Sequence, residues 1–266
     1  MSLIKHVRDN YVLFVLGNKE NIETFCMSPF ELDTLFIDPL KKSNKHFVDL
    51  LIQLDGLGYG DKKLAMDKWV ALDCGMLPSA FIGLAKRIHD LDDETRARFD
   101  LPDDYNGLVP VTMYCAIPTS RQGCFVGHSL VSVVNGKGLG LATKVIGLKI
   151  YNAQHVFGIA QYNNSAIKIH SRIADLRLAS AITFAHSIPE MTFVYEHDID
   201  QERLIEIIIN HQVPKQHSFL LRSDDLERKM QMQQDIENKH ADYFILYPGQ
   251  ITNGNTYIPI LERKRQ

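Results

Sequence analysis

Three glycines at alternate positions, Gly136, Gly138 and Gly140, follow a run of β-branched residues and precede a helix-compatible segment. Glycine lets a backbone approach phosphate oxygens closely. The first turn of a helix presents N–H groups without intrahelical partners and a partial positive charge. A strand, a glycine loop and a helix start, in that order, therefore favour an anion such as a pyrophosphate. The Walker pattern GxxxxGK[ST] is absent. A Rossmann GxGxxG is not met either, because Leu141 occupies the third required position. The strand that follows, HVFGIAQYNN, also ends without the carboxylate a dinucleotide fold expects about 20 residues on.

Other residues with chemical capacity are thinly spread. Cys26, Cys74, Cys115 and Cys124 form no CxxC pair, so neither a zinc site nor a disulfide framework is expected, and no metal is assigned. They read as buried thiols in a reducing compartment. Among the histidines, His128 precedes the glycine loop on the same strand and His170 follows it on the second helix.

The elements that must position these residues are legible in outline. Tyr11 to Leu16 is a continuous apolar run and predicts a buried strand. His46 to Leu54 places Phe47, Leu50, Leu51 and Leu54 on one helical face. Trp69 to Asp73 and Ala80 to Ile88 predict two strands, followed by a charged connection over residues 89–108 with a short helix. Val109 to Ile117 and Cys124 to Val134 are further strands. Leu141 to Tyr151 is a helix, His155 to Ala160 a strand, and Ser165 to Ala174 a second helix. Ala181 to His186 and Thr192 to His197 predict two more strands. Beyond them come helices over 201–210 and 224–238, then strands over 242–247 and 256–261 that pair across a Gly/Asn-rich turn.

The stretch NGKGLGLAT resembles the pyrophosphate loop of the GNAT superfamily of acyl-CoA-dependent N-acyltransferases, whose pattern is [Q/R]xxGxG/A. Asn135 stands at the Gln/Arg position, and Gly138 and Gly140 at the two glycines. The stretch NNSAIKIH resembles that superfamily's NxxAxxLY motif: Asn163, Ala166 and Ile169 match, and His170 stands where tyrosine is usual. The uncharged Asn135 shifts part of the expected phosphate contact to Lys137. The resemblance spans roughly residues 69–199.

It implies an α/β fold, a GNAT-like central mixed sheet flanked by helices. Residues 1–199 would form the acyl-CoA-binding domain, with its motif core at 124–175, and residues 200–266 an α+β C-terminal appendage. Residues 1–68 would supply a first strand and two helices walling the acceptor site. Two strands would splay so that the pantetheine arm adds main-chain hydrogen bonds. Contacts to acetyl-CoA or another acyl-CoA would come from Val133, Val134, Asn135, Gly136, Lys137, Gly138, Leu139, Gly140, Leu141, Ala142, Asn163 and Ala166. The implied reaction moves an acyl group, acetyl by family frequency, to an amine in a ternary complex. His170 would stand in for the tyrosine as acid, and His128, sharing a strand face with Leu130, would serve as base. A catalytically silent acyl-CoA-binding sensor or assembly module is the alternative, since the tyrosine is replaced. The tail would pack on the sheet or make a homodimer contact.

The bulk properties agree with a core of ordinary size. The chain has 266 residues, 45% of them hydrophobic, and a formal net charge of −3. That balance does not indicate a nucleic-acid partner. No apolar run approaches the roughly 20 residues a membrane span requires. The N-terminus lacks a signal-peptide pattern, so the cytoplasm is the expected location.

Overall fold

The apolar run after Asn10 becomes strand β1 (Val12–Leu16), which has a strand hydrogen-bonded along each edge and buries Leu13, Phe14, Val15 and Leu16. The computed structural model describes residues 3–17, 30–62, 65–76, 81–102, 104–134, 136–183, 191–210 and 212–265. By contacts the chain divides into two units: Met1–Gly123 with Gly127–Ala153, and Cys124–Val126 with Gln154–Gln266.

In the first unit the strand order is β2 (Thr34–Ile37), β1, β3 (Phe81–Arg87), β4 (Leu108–Pro118), β5 (Cys124–Ser132). β1 runs parallel to β2 and antiparallel to β3, and β3 runs antiparallel to β4, so the sheet is mixed. The period of two sorts the strand side chains onto two faces. Phe14 meets Phe47 of α2 (Lys45–Tyr59) at 5.1 Å between ring centroids. Thr112, on the other face, bonds Thr143 of α5 (Leu139–Ile150) at 2.6 Å between hydroxyls. Helices thus cover both faces. Helix α5 is apolar nearly all round and almost wholly buried, as such a pattern requires. Gly147 lets it approach β3 and β4: a Cβ there would lie 2.8 Å from Ile82 and from Tyr114. The unit is completed by α1 (Leu3–Asn10), α3 (Lys68–Met76) and the short α4 (Asp93–Arg96), which is capped by the Asp92 side chain on Thr95 N–H.

The second unit is antiparallel. Its order is β6 (His155–Gln161), β8 (Thr192–Asp198), β7 (Leu176–Ser180), β10 (Ala241–Ile245), β12 (Asn255–Lys264), and β9 (Phe219–Arg222) and β11 (Ile251–Asn253) both pair with β12. Its core joins Tyr162, Phe193, Tyr195, Tyr243, Ile245 and Ile260. Helices α6 (Ala166–Ile173), α7 (Leu204–Ile209) and α8 (Leu226–Glu237) complete it. Residues beyond 200 enter this sheet directly, because β10 pairs with β7 through Phe244–Arg177 and Ile245–Leu176.

Two expected strands are corrected. Trp69 to Asp73 lies within helix α3, with Trp69 exposed. A four-residue apolar run does not distinguish strand from helix, and Lys, Ala and Leu favour the helix. The strand expected over Ala181 to His186 is instead β7, ending at Ser180; beyond it the Gln233 side-chain carbonyl accepts from the N–H groups of Ala181 and Ile182. Residues 184–186 lie outside the described residues. Among the described residues no helix is long and apolar enough to cross a membrane.

Candidate functional site

The glycine loop leaves β5 and enters α5 within the first unit. Val133 N–H donates to Val111 O at 3.0 Å, which holds the loop's start to β4. The Ser132 hydroxyl donates to Val134 O at 3.0 Å. Asn135 lies outside the described residues. Gly136 and Gly138 have φ of +75° and +71°, a left-handed conformation that disfavours residues with a Cβ. A Cβ on Gly136 would meet nothing within 4 Å, whereas one on Gly138 would approach a Leu3 methyl at 3.2 Å. Ala142 N–H returns to Gly138 O at 3.0 Å, and no side chain caps the helix. The N–H groups of Leu139, Gly140 and Leu141 therefore occupy the first turn, before the intrahelical ladder begins. The helix starts two residues earlier than expected, so Leu139 and Gly140 join Leu141 and Ala142 as buried helical residues. Lys137 is exposed at the tip. A second cation, Arg98, donates from Nη1 to Val133 O at 3.2 Å and pairs with Glu94.

Beside this loop, α2 and β5 share a polar cluster. The buried Asp55 carboxylate accepts from Met66 N–H at 2.6 Å and from the Ser129 hydroxyl at 3.1 Å. Burial pushes its pKa up; these two hydrogen bonds and the charge of His128 oppose that shift. One turn on, the Tyr59 hydroxyl accepts from Leu130 N–H at 3.1 Å and donates to Leu130 O at 3.2 Å. Burial raises the Tyr59 pKa as well. Gly58 permits this closeness, since a Cβ there would fall 2.7 Å from Val131. His128 is exposed on β5.

The Asp55 geometry makes a stability prediction. A raised folded-state pKa means that ionising Asp55 costs stability as pH climbs from the ordinary carboxylate range through the folded value. Asp55→Asn keeps an acceptor for Met66 and a donor for Ser129 without the charge. It should match or exceed wild-type stability in urea at pH 7 and lose that advantage near pH 4. Asp55→Ala strands the Met66 N–H and should cost about 1–3 kcal/mol. Equal losses in the two variants would show that charge burial is not the controlling effect.

The second motif lies in the second unit. Asn163 is exposed, and its neighbour Asn164 opens α6 by accepting Ala166 N–H at 2.9 Å on Oδ1. Gln250 Nε2 donates to Tyr162 O at 2.8 Å and to Asn164 O at 2.9 Å, so residues of the C-terminal segment pin the turn that presents Asn163. Ala166 is half-buried. His170 is 8% exposed, with its ring 5.3 Å from that of Tyr195, which in turn stacks on His197 at 5.9 Å.

No protein-family model matches the chain, and no curated protein matches it in sequence. Among solved structures, a chain of the NatC complex crystallised with Gag peptide and CoA is similar over 61% of this chain and 97% of that one. The identity is 12% and the TM-score 0.39.

Within the first unit the fold gathers His128, Val133, Val134 and residues 136–142 onto one strand–loop–helix turn. Within the second it gathers Asn163, Ala166 and His170 onto one strand–turn–helix. Sequence reasoning missed Arg98, Asp55 and Tyr59, which come from segments remote from the loop. The available signal for Arg98 was a basic residue beside an acidic N-terminal turn, DDETRAR, in a connection read as solvated.

Proposed function

We propose that the chain is an acyl-CoA-dependent N-acyltransferase, probed most simply with acetyl-CoA, that acylates an amine. The observation that carries the reading is the pair of left-handed glycines, Gly136 and Gly138, leading into the uncapped start of the buried helix α5. A diphosphate suits this backbone: the cradle has open space where a Gly136 Cβ would stand, and Lys137 and Arg98 supply positive charge. The residues present fit the group. In this reading the N–H groups of Leu139, Gly140 and Leu141 bind the phosphates, helped by the helix dipole. When bound, acyl-CoA supplies a thioester activated toward amines. Val133 and Val134 hold the loop to the sheet, Asn163 contributes an exposed amide, and Ala166 leaves room beside it. His128 is assigned to accept the amine's proton at an imidazole nitrogen, and His170 to hold the proton donated to the departing group. Residues 1–199 serve as the acyl-CoA module with core 124–175; the segment 200–266 fixes the turn at Asn163 through Gln250. The cytoplasm is the proposed location, and a homodimer contact by the tail is part of the reading.

Calorimetry with CoA tests the loop. Gly136→Val should lose CoA binding, because its side chain would enter the open volume before the helix. Far-UV circular dichroism should stay near wild type, the strain of one left-handed valine being about 1–2 kcal/mol. Undiminished CoA affinity in that variant would remove the loop as the phosphate site. Release of free thiol across a panel of amines then separates an enzyme from a silent acyl-CoA binder.

A further inference from the structure

Successive residues of a strand direct their N–H and C=O groups to alternate edges. Val133 donates to Val111 of β4, so Leu130, three residues earlier, turns both groups to the opposite edge of β5. There the single hydroxyl of Tyr59 satisfies both: it accepts from Leu130 N–H and donates to Leu130 O. A donor and an acceptor side by side on a strand edge are what an extended amide-bearing ligand uses when it adds to a sheet. Ser129 and Val131, flanking Leu130, face Asp55 and Gly58 of α2, which fixes the helix end that delivers the hydroxyl. The Leu130 groups lie on β5 directly before the glycine loop, and the arm of coenzyme A is itself a chain of amides.

We propose that Tyr59 is a placeholder on β5, occupying the Leu130 N–H and C=O until the amide arm of the acyl-CoA displaces its hydroxyl. This rests on the acyl-CoA reading. The hydroxyl keeps both Leu130 groups satisfied in the free protein, and the exchange of hydrogen bonds taxes binding of every arm-bearing ligand. A ligand with the nucleotide and phosphates but no arm leaves Tyr59 in place.

The test compares CoA with adenosine 3′-phosphate 5′-diphosphate, which lacks the arm, on wild type and Tyr59→Phe by calorimetry. The phenylalanine leaves Leu130 unsatisfied in the free protein, so CoA should bind about tenfold more tightly than to wild type, with affinity for the armless nucleotide unchanged. In wild type labelled with ¹³C at the tyrosine ring carbon bearing the hydroxyl, the Tyr59 resonance should move with CoA and stay still with the armless nucleotide. That second measurement decides the matter should Tyr59→Phe fail to fold. CoA affinity unchanged or weakened in a folded Tyr59→Phe, or an unmoved Tyr59 resonance on CoA binding, overturns the placeholder while leaving the acyl-CoA reading intact. Wild type that binds neither ligand overturns both.

Discussion

Lys144→Met is expected to stabilise the protein at neutral pH and to flatten its stability above pH 7. Lys144 is fully buried within α5, its ammonium 5.8 Å from the Tyr114 ring centre, and burial pulls its pKa down to about 7. An unfolded lysine keeps a pKa near 10.4. Between these values the unfolded chain binds more protons than the folded one, so unfolding free energy rises with pH across that window. The rise from this residue alone is about 4 kcal/mol between pH 7 and 10.5. Methionine keeps the length of the side chain and has nothing to protonate. Urea unfolding from pH 6 to 10 should give wild type a slope that Lys144→Met lacks, with the two curves converging at the alkaline end. Parallel curves would mean that Lys144 is charged in the folded protein and held by ion pairing.

The second large effect is catalytic. With an acceptor amine in hand, His170→Ala should lower kcat by about 10²–10⁴-fold, the usual weight of general acid catalysis, while CoA affinity changes little. In the proposed acid role the protonated imidazole is the competent form, so wild-type kcat should fall on the alkaline side and the variant should lose that limb. His170→Tyr should recover part of the rate. His170 packs against Tyr195, so thermal melts of each variant separate lost packing from lost chemistry. A wild-type kcat in a folded His170→Ala protein would move the acid elsewhere.

What was legible in the sequence was local. The glycine loop stood out because left-handed backbone selects glycine, and the structure places Gly136 and Gly138 there. The strand at Tyr11 to Leu16 and the helix at His46 to Leu54 followed from runs and periodicity that burial enforces. Trp69 to Asp73 went astray because so short an apolar run has no decisive period. The start of α5 was set two residues late because glycine is a poor helix former, yet Gly140 sits in the first turn, where the helix has little to lose. Tyr59 and Asp55 were silent: their partners lie 71 and 74 residues away, and no local pattern encodes such a meeting. Lys144 did leave a trace. Its helical neighbours Gly140, Leu141, Gly147 and Leu148 are all apolar or absent side chains, a poor setting for a solvated ammonium.

The pairing of β10 with β7 has a consequence for how the chain is made. The turn at Tyr162 and Asn164 is pinned by Gln250, 88 residues after Tyr162, and β7 gains its outer neighbour only when residues 241–245 exist. On the ribosome, β6, β7 and β8 therefore emerge as a partial sheet with an open edge, a template for pairing with other nascent chains. Closing that edge is a long-range event, slow by its loop-closure entropy. The second motif thus takes its final shape only after residues 241–250 have been made.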